Sequence, residues 1–317
     1  MSQVRVSFRD FWPGFRPEDF FLPLLSMGLG GPDGTTRSVQ VVPPWAPCDL
    51  EIVSVFPGPI GMRRRAVNAA RRSLRMSSLE SSRVGQPSPW AARSIWFTAE
   101  NVRPPRASWH ATWSFDATSG LARNSYFPLW YMLLPELAGL PPTSISPENR
   151  SGRPITLASA LSSREAQTGA RAKFACAFIG NPEPTRMRAI DALRRIGPVD
   201  VYGPSVGSVV ASKWEIARDY RFMLCFENSV TPGYVTEKVF DAWACGTVPI
   251  WNGLDRDGYL NPAAMINLAA LGGSLDHLLE QVERVFSDPA STDQIAGAPL
   301  LVRQPSMAPI LESLRLA

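Results

Sequence analysis

Lysine is scarce in this 317-residue chain, occurring only at Lys173, Lys213 and Lys238, so the positive charge rests almost wholly on arginine. The four cysteines, Cys48, Cys176, Cys225 and Cys245, show no Cys-x-x-Cys spacing, and the only histidines are His110 and His277. Those counts argue against a structural zinc site or a disulfide framework and leave buried free thiols. No apolar run reaches about 18 residues, so no membrane-spanning helix is predicted. Arg5, Arg9, Asp10, Arg16, Glu18 and Asp19 interrupt the N-terminal aromatics, which excludes a signal-peptide apolar region. The expectation is a soluble, cytoplasmic protein. The glycine-rich residues 29–34 lack GxGxxG and Walker spacing and take no nucleotide role. Helix-turn-helix, RRM and zinc patterns are missing and the aromatics do not interleave with the basic run, so nucleic acid is not an expected partner. There is no internal repeat.

What is present is a globular composition, 45% hydrophobic and 19% charged, with net charge +4. A modest positive field suits an anionic small molecule or a phosphate-bearing glycolipid surface. The densest chemistry lies in residues 222–253, which read as strand, polar turn, helix and strand. Residues 222–226 are an apolar run of strand length, closed by Glu227, Asn228 and Ser229. Pro232-Gly233 breaks the backbone, Thr236 stands at the helix N-cap, and Val239, Phe240 and Trp243 follow at helical spacing until Gly246. A strand feeding a helix N-terminus favours an anion. Lys238 in that first turn opposes the helix dipole, a cost a bound anion would offset.

Upstream, alternation at Val4, Val6 and Phe8 predicts a first strand, Pro17-Glu18-Asp19 a helix start, and residues 49–56, 94–98 and 109–116 further strands. The basic residues 63–83, with Arg63, Arg64, Arg65, Arg71, Arg72 and Arg75 among them, read as a solvated helix face or as a surface meeting phosphate-rich glycolipid. The Pro-, Ser- and Gly-rich residues 140–171 mark a domain boundary near residue 150. The sequon Asn149-Arg150-Ser151 carries no expectation of glycosylation. Beyond it, residues 174–179 and 199–203 read as strands, and 187–196 and 275–286 as helices. That alternation predicts an α/β fold with a parallel sheet covered on both faces.

The stretch Phe226-Glu227-Asn228-Ser229, followed by Tyr234-Val235-Thr236-Glu237-Lys238, resembles the signature of the α1,3/1,4-fucosyltransferases, glycosyltransferase family 10, in a bacterial-type, soluble form. Weaker likenesses extend it: Glu100-Asn101 resembles the family's TGEN element, with Ala99 in place of its glycine. Ser114-Phe115-Asp116 resembles the following SFD, and Asn181-Pro182 with Arg186 the start of the nucleotide domain. The resemblance implies a GT-B architecture of two Rossmann-like domains facing across a cleft. Residues 1–150 would bind the acceptor and residues 151–317 GDP-fucose, with room for the C-terminal end to pack back on the first domain.

The activity so implied is inverting transfer of L-fucose from GDP-β-L-fucose to a GlcNAc or Glc hydroxyl, in α1,3 or α1,4 linkage. It belongs to protein glycosylation or lipopolysaccharide biosynthesis. Such a displacement needs a base for the acceptor hydroxyl and stabilisation of a diphosphate leaving group. By resemblance Glu100 matches the base and Arg186 and Lys238 the phosphate cations. Asn228 and Tyr234 match donor contacts or groups that fix the turn. Glu237 would meet the ribose hydroxyls or the charge developing on fucose. Asp255-Arg256-Asp257 formally reads as a metal-binding DxD, but cations already stand at the phosphate site, so no metal or other cofactor is expected to be required. The implied acceptor is an oligosaccharide or glycolipid, which allows peripheral association with the inner membrane. Competing readings are a transferase for another nucleotide sugar such as GDP-mannose, and a catalytically silent glycan-binding relative.

Overall fold

Short buried runs of β-branched and aromatic residues form two all-parallel sheets. A computed structural model describes residues 3–30, 36–56, 86–103, 108–117, 123–144, 149, 151–208 and 210–316. The arginine-rich stretch between residues 63 and 83 lies outside them. The strands are β1 (Val4–Arg9), β2 (Val39–Val41), β3 (Leu50–Val53), β4 (Ser94–Phe97), β5 (Ala111–Ser114), β6 (Asn124–Tyr126), β7 (Lys173–Phe178), β8 (Val199–Tyr202), β9 (Tyr220–Leu224), β10 (Val248–Trp251) and β11 (Ile266–Asn267). The α-helices among the described residues are α1 (Phe21–Gly28), α2 (Leu157–Leu161), α3 (Pro184–Leu193), α4 (Lys213–Ala217), α5 (Glu237–Ala244), α6 (Leu275–Ser287), α7 (Pro289–Gly297) and α8 (Ala308–Leu316). One sheet has the order β2-β1-β3-β4-β5-β6 and the other β11-β10-β9-β7-β8. The chain divides into two compact units, Met1–Leu129 with Leu137–Gly139 and Ser306–Ala317, and Trp130–Glu136 with Leu140–Pro305.

In the first unit every residue of β3, β4 and β5 is buried, as a parallel sheet covered on both faces requires. Helix α1 buries Phe21, Leu24, Leu25 and Gly28, one stripe at helical spacing. Phe21 meets Phe8 and Phe97 edge-on. Gly28 lets α8 approach, since a Cβ there would stand 2.3 Å from Leu314 Cδ1. Two bonds fix α8 to the sheet: Trp113 Nε1 donates to Ser313 Oγ at 2.9 Å and Ser125 Oγ to the Pro309 carbonyl at 3.1 Å.

In the second unit β7 and β9 are the central pair, in register at Ala175 with Phe222. Helices α3, α6 and α7 close over an apolar core that includes Ile190, Leu193, Phe222, Leu278 and Val282. Several expectations shift. Residues 17–19 form a single 3-10 turn and the helix begins at Phe21. The strand expected at 222–226 is Tyr220–Leu224, because pairing with β7 starts at Lys173 opposite Tyr220. The helix expected from 187 starts at Pro184, with Glu183 as its cap. Asn149 and Ser151 of the sequon are buried, with Ser151 N–H donating to Asn149 Oδ1 at 3.1 Å.

Candidate active site

Parallel pairing carries the chain past the end of β9. Cys225 N donates to the Ile250 carbonyl at 2.9 Å and Glu227 N to the Asn252 carbonyl at 3.3 Å. Gly233, at φ +83°, turns the backbone and donates to the Leu254 carbonyl at 2.8 Å. Thr236 is the N-cap of α5 as the sequence indicates, but its hydroxyl does not cap the helix. It donates instead to Glu227 Oε2 at 2.6 Å, while Thr236 N–H donates to Oε1 at 2.9 Å. Trp251 Nε1 donates to the same Oε1 at 3.3 Å. The Glu227 side chain is fully buried, so these donors supply the solvation that water cannot.

Lys238 closes this cluster. Its Nζ donates to Thr236 Oγ1 at 2.9 Å and lies 3.4 Å from Glu237 Oε1 and 3.5 Å from Glu227 Oε2. Two carboxylates thus offset an ammonium that the helix dipole disfavours. Arg186 comes from the first turn of α3, where the Glu183 carboxylate accepts its backbone N–H at 3.1 Å. Its guanidinium is buried and spends three donors: Nη1 to the Asn181 carbonyl at 2.6 Å, Nη2 to the Phe226 carbonyl at 2.6 Å and to Asn228 Oδ1 at 3.2 Å. Burial lowers the Arg186 pKa, and the charges of Glu227 and Glu183 work against that shift.

Arg186, Lys213 and Lys238 line one cavity of about 20 Å³ at the C-terminal ends of β7 and β9. Ligand sites of open α/β sheets lie at that edge. Lys213 Nζ donates to Asp241 Oδ2 at 2.5 Å, and Asp241 Oδ1 accepts the Ser151 N–H at 3.1 Å. Burial pushes the Asp241 carboxyl up to about 6, and the neighbouring Lys213 charge only partly counters it. A larger cavity, about 660 Å³, lies beside the start of β11 and is lined by Arg164, Gln281 and Arg284 among others. It holds none of the residues singled out from sequence.

The remaining sequence candidates fall as follows. Asn228 is exposed and bonded to Arg186; Glu237 and Lys238 open α5; Tyr234 is buried at 2%, in keeping with a ring that fixes the turn. Glu100 belongs to the first unit, half-buried on the loop after β4, where Thr98 Oγ1 donates to its carbonyl at 2.6 Å. Ala99 takes no positive φ, so alanine serves where the family motif has glycine. Arg103 joins this loop to the Ser114-Phe115-Asp116 element, donating to Asn101 Oδ1 at 2.8 Å and reaching Asp116 Oδ1 at 3.0 Å. The carboxylates of Asp255-Arg256-Asp257 have local partners: Asp255 accepts the Leu260 N–H at 2.6 Å, and Arg256 pairs with Asp257 through two bonds. Sequence reasoning missed Glu227, Lys213 and Asp241. The available signals were a carboxylate inside the signature, one of only three lysines, and an acid amid the apolar face of α5.

Residues 168–291 match the model of glycosyltransferase family 10 (fucosyltransferase), C-terminal part. The chain is 39% identical over 100 residues to the alpha-(1,3)-fucosyltransferase FucT of Helicobacter pylori, a match covering 30% of this chain and 21% of that protein. It is 33% identical over 93 residues to the human 4-galactosyl-N-acetylglucosaminide 3-alpha-L-fucosyltransferase 9, covering 28% of this chain and 26% of the relative. The chain thus spans about a quarter or less of the length of these relatives. A crystal structure of alpha1,3-fucosyltransferase with GDP superposes with a TM-score of 0.67 at 19% identity, over 99% of this chain and 90% of the other. The complex with GDP-fucose gives the same score over 99% and 89%. At that identity the likeness speaks for the fold, which is GT-B. Over residues 168–291, the chain is similar to glycosyltransferase family 10, the fucosyltransferases.

Proposed function

We propose that this protein transfers L-fucose from GDP-β-L-fucose to a GlcNAc or Glc hydroxyl of a glycan, in α1,3 or α1,4 linkage, by one inverting displacement. The observation that carries the reading is the convergence of Arg186 and Lys238 on one cavity beyond β9, inside the segment that matches the family. Cations held there by packing counter the charge that develops on a departing diphosphate. GDP-fucose is the donor named with one solved structure of like fold, and α1,3 transfer is in the names of the curated relatives. Glu100, at the C-terminal edge of the first unit's sheet, serves as the base that takes the acceptor hydroxyl's proton. Glu237 and Asn228 complete the donor pocket, and Tyr234 holds the turn from behind.

The transfer is proposed to need no metal, a reading supported by the Arg256 pairing of Asp257. Among the described residues no helix is long and apolar enough to cross a membrane. A cytoplasmic location, peripheral to the inner membrane where the acceptor is a glycolipid, is part of the proposal. The test is GDP release across a panel of nucleotide sugars with a GlcNAc-containing acceptor, with and without EDTA. Release from GDP-fucose alone, insensitive to EDTA, supports the reading. Equal release from GDP-mannose, no release from any donor, or EDTA loss restored by manganese each contradicts part of it.

A further inference from the structure

Arg186 cannot grip a phosphate as an open fork while its present bonds hold. Three of the five guanidinium N–H groups are spent on the Asn181 and Phe226 carbonyls and on Asn228, and both hydrogens of Nη2 are among them. Both bidentate faces of a guanidinium use one Nη2 hydrogen or more, so Arg186 offers single contacts. The cavity it lines therefore needs another donor. Lys213 stands on the same wall, with Phe178, Leu224 and Cys225 among the apolar surroundings. An ammonium carries three N–H donors. Asp241 takes one at 2.5 Å, and Lys213 has no further hydrogen-bond partner among the described residues.

Asp241 is also what keeps that ammonium in place. It lies three residues after Lys238 on α5, so both side chains leave the same helix face. Its second oxygen is fixed by Ser151 N–H, which stops the carboxylate from swinging away. A volume of about 20 Å³ takes roughly one oxygen atom. We propose that Lys213 is a third donor-phosphate cation, tethered by Asp241, and that with Arg186 and Lys238 it surrounds one phosphate oxygen of a bound nucleoside diphosphate. The assignment rests on the donor reading above and adds a residue to it.

The scarcity of lysine makes a direct test on the unaltered protein possible. Acylation with acetic anhydride is followed at Lys173, Lys213 and Lys238 by mass spectrometry, with GDP or guanosine present. GDP, but not guanosine, should slow labelling of Lys213 and Lys238 at least about tenfold and leave Lys173 unchanged. Protection of Lys238 without Lys213 overturns the assignment and spares the donor reading. Protection of neither, with no GDP binding, overturns the donor reading and this assignment with it. A second arm removes both charges together, because Lys213→Met alone would strand a buried carboxylate. The Lys213→Met, Asp241→Asn double variant should lose GDP affinity by about 10- to 100-fold, the scale of one charge-assisted hydrogen bond, with guanosine affinity unchanged. An unchanged preference for GDP over guanosine, or an equal loss for both, refutes phosphate contact.

Discussion

Glu227 grips Thr236 twice, taking the hydroxyl on Oε2 at 2.6 Å and the backbone N–H on Oε1 at 2.9 Å. The start of α5, and with it Lys238, is thereby tied to the end of β9. Replacing Glu227 by alanine strands the Thr236 and Trp251 donors and removes a carboxylate 3.5 Å from Lys238. The expected loss is about 3 kcal/mol of unfolding free energy in urea. A loss below about 1 kcal/mol would show that the pair does not hold the turn.

Glu100→Gln separates chemistry from donor binding. The carboxylate stands in the first unit, apart in sequence from every cation at the cavity. Turnover should fall about 10²- to 10⁴-fold, the usual worth of a general base, with GDP affinity unchanged. Lys238→Ala should instead weaken GDP binding. Unchanged turnover in the glutamine variant dismisses Glu100 as the base.

Gly203 supports the loop that delivers Arg186. It sits at φ +120°, and a Cβ there would meet the Ile179 carbonyl oxygen at 2.4 Å. Gly203→Ala should therefore cost about 2–3 kcal/mol in chemical unfolding, the range for strained backbone. A stability within about 0.5 kcal/mol of the unaltered protein would mean that the loop yields freely.

Asp241 gives a pH signature. Its folded-state value of about 6 lies above the ordinary 3.8, chiefly through burial, so the folded protein binds the extra proton. The resulting stability is fully present below about pH 4 and is lost as pH rises through about 6, to a limit of about 3 kcal/mol. Measured by denaturant between pH 4 and 7, Asp241→Asn should lack this decline. Parallel pH profiles for the two proteins would rule the effect out.

The second unit was the more legible half because its strands are apolar runs between turn residues, and the signature singled out Glu237 and Lys238, with Arg186 added by the weaker likeness at Asn181-Pro182. Thr236 was identified as the N-cap, yet its hydroxyl serves Glu227, a choice made by tertiary packing. Strand β6 was missed because Asn124-Ser125-Tyr126 looks polar. Its Asn124 is buried with its Oδ1 accepting from the Thr112 and Ser114 hydroxyls and its Nδ2 donating to the Asp116 carbonyl. Helix α8 lies 200 residues from Trp113 at its Ser313 contact, and no local pattern announces that bond. Lys213 and Asp241 were marked only by the rarity of lysine and by an acid on an apolar helix face. A helix period shows that Asp241 and Lys238 share a face, but not that Lys213 comes to meet them.

The most direct measurement is the product of a reaction containing GDP-β-L-fucose and a GlcNAc-terminated or N-acetyllactosamine acceptor, characterised by NMR. The account predicts a single α-linked fucose on O3 or O4 of GlcNAc, with one GDP released per fucose transferred. A β-linked product, or release of GDP without any fucosylated acceptor, would contradict it.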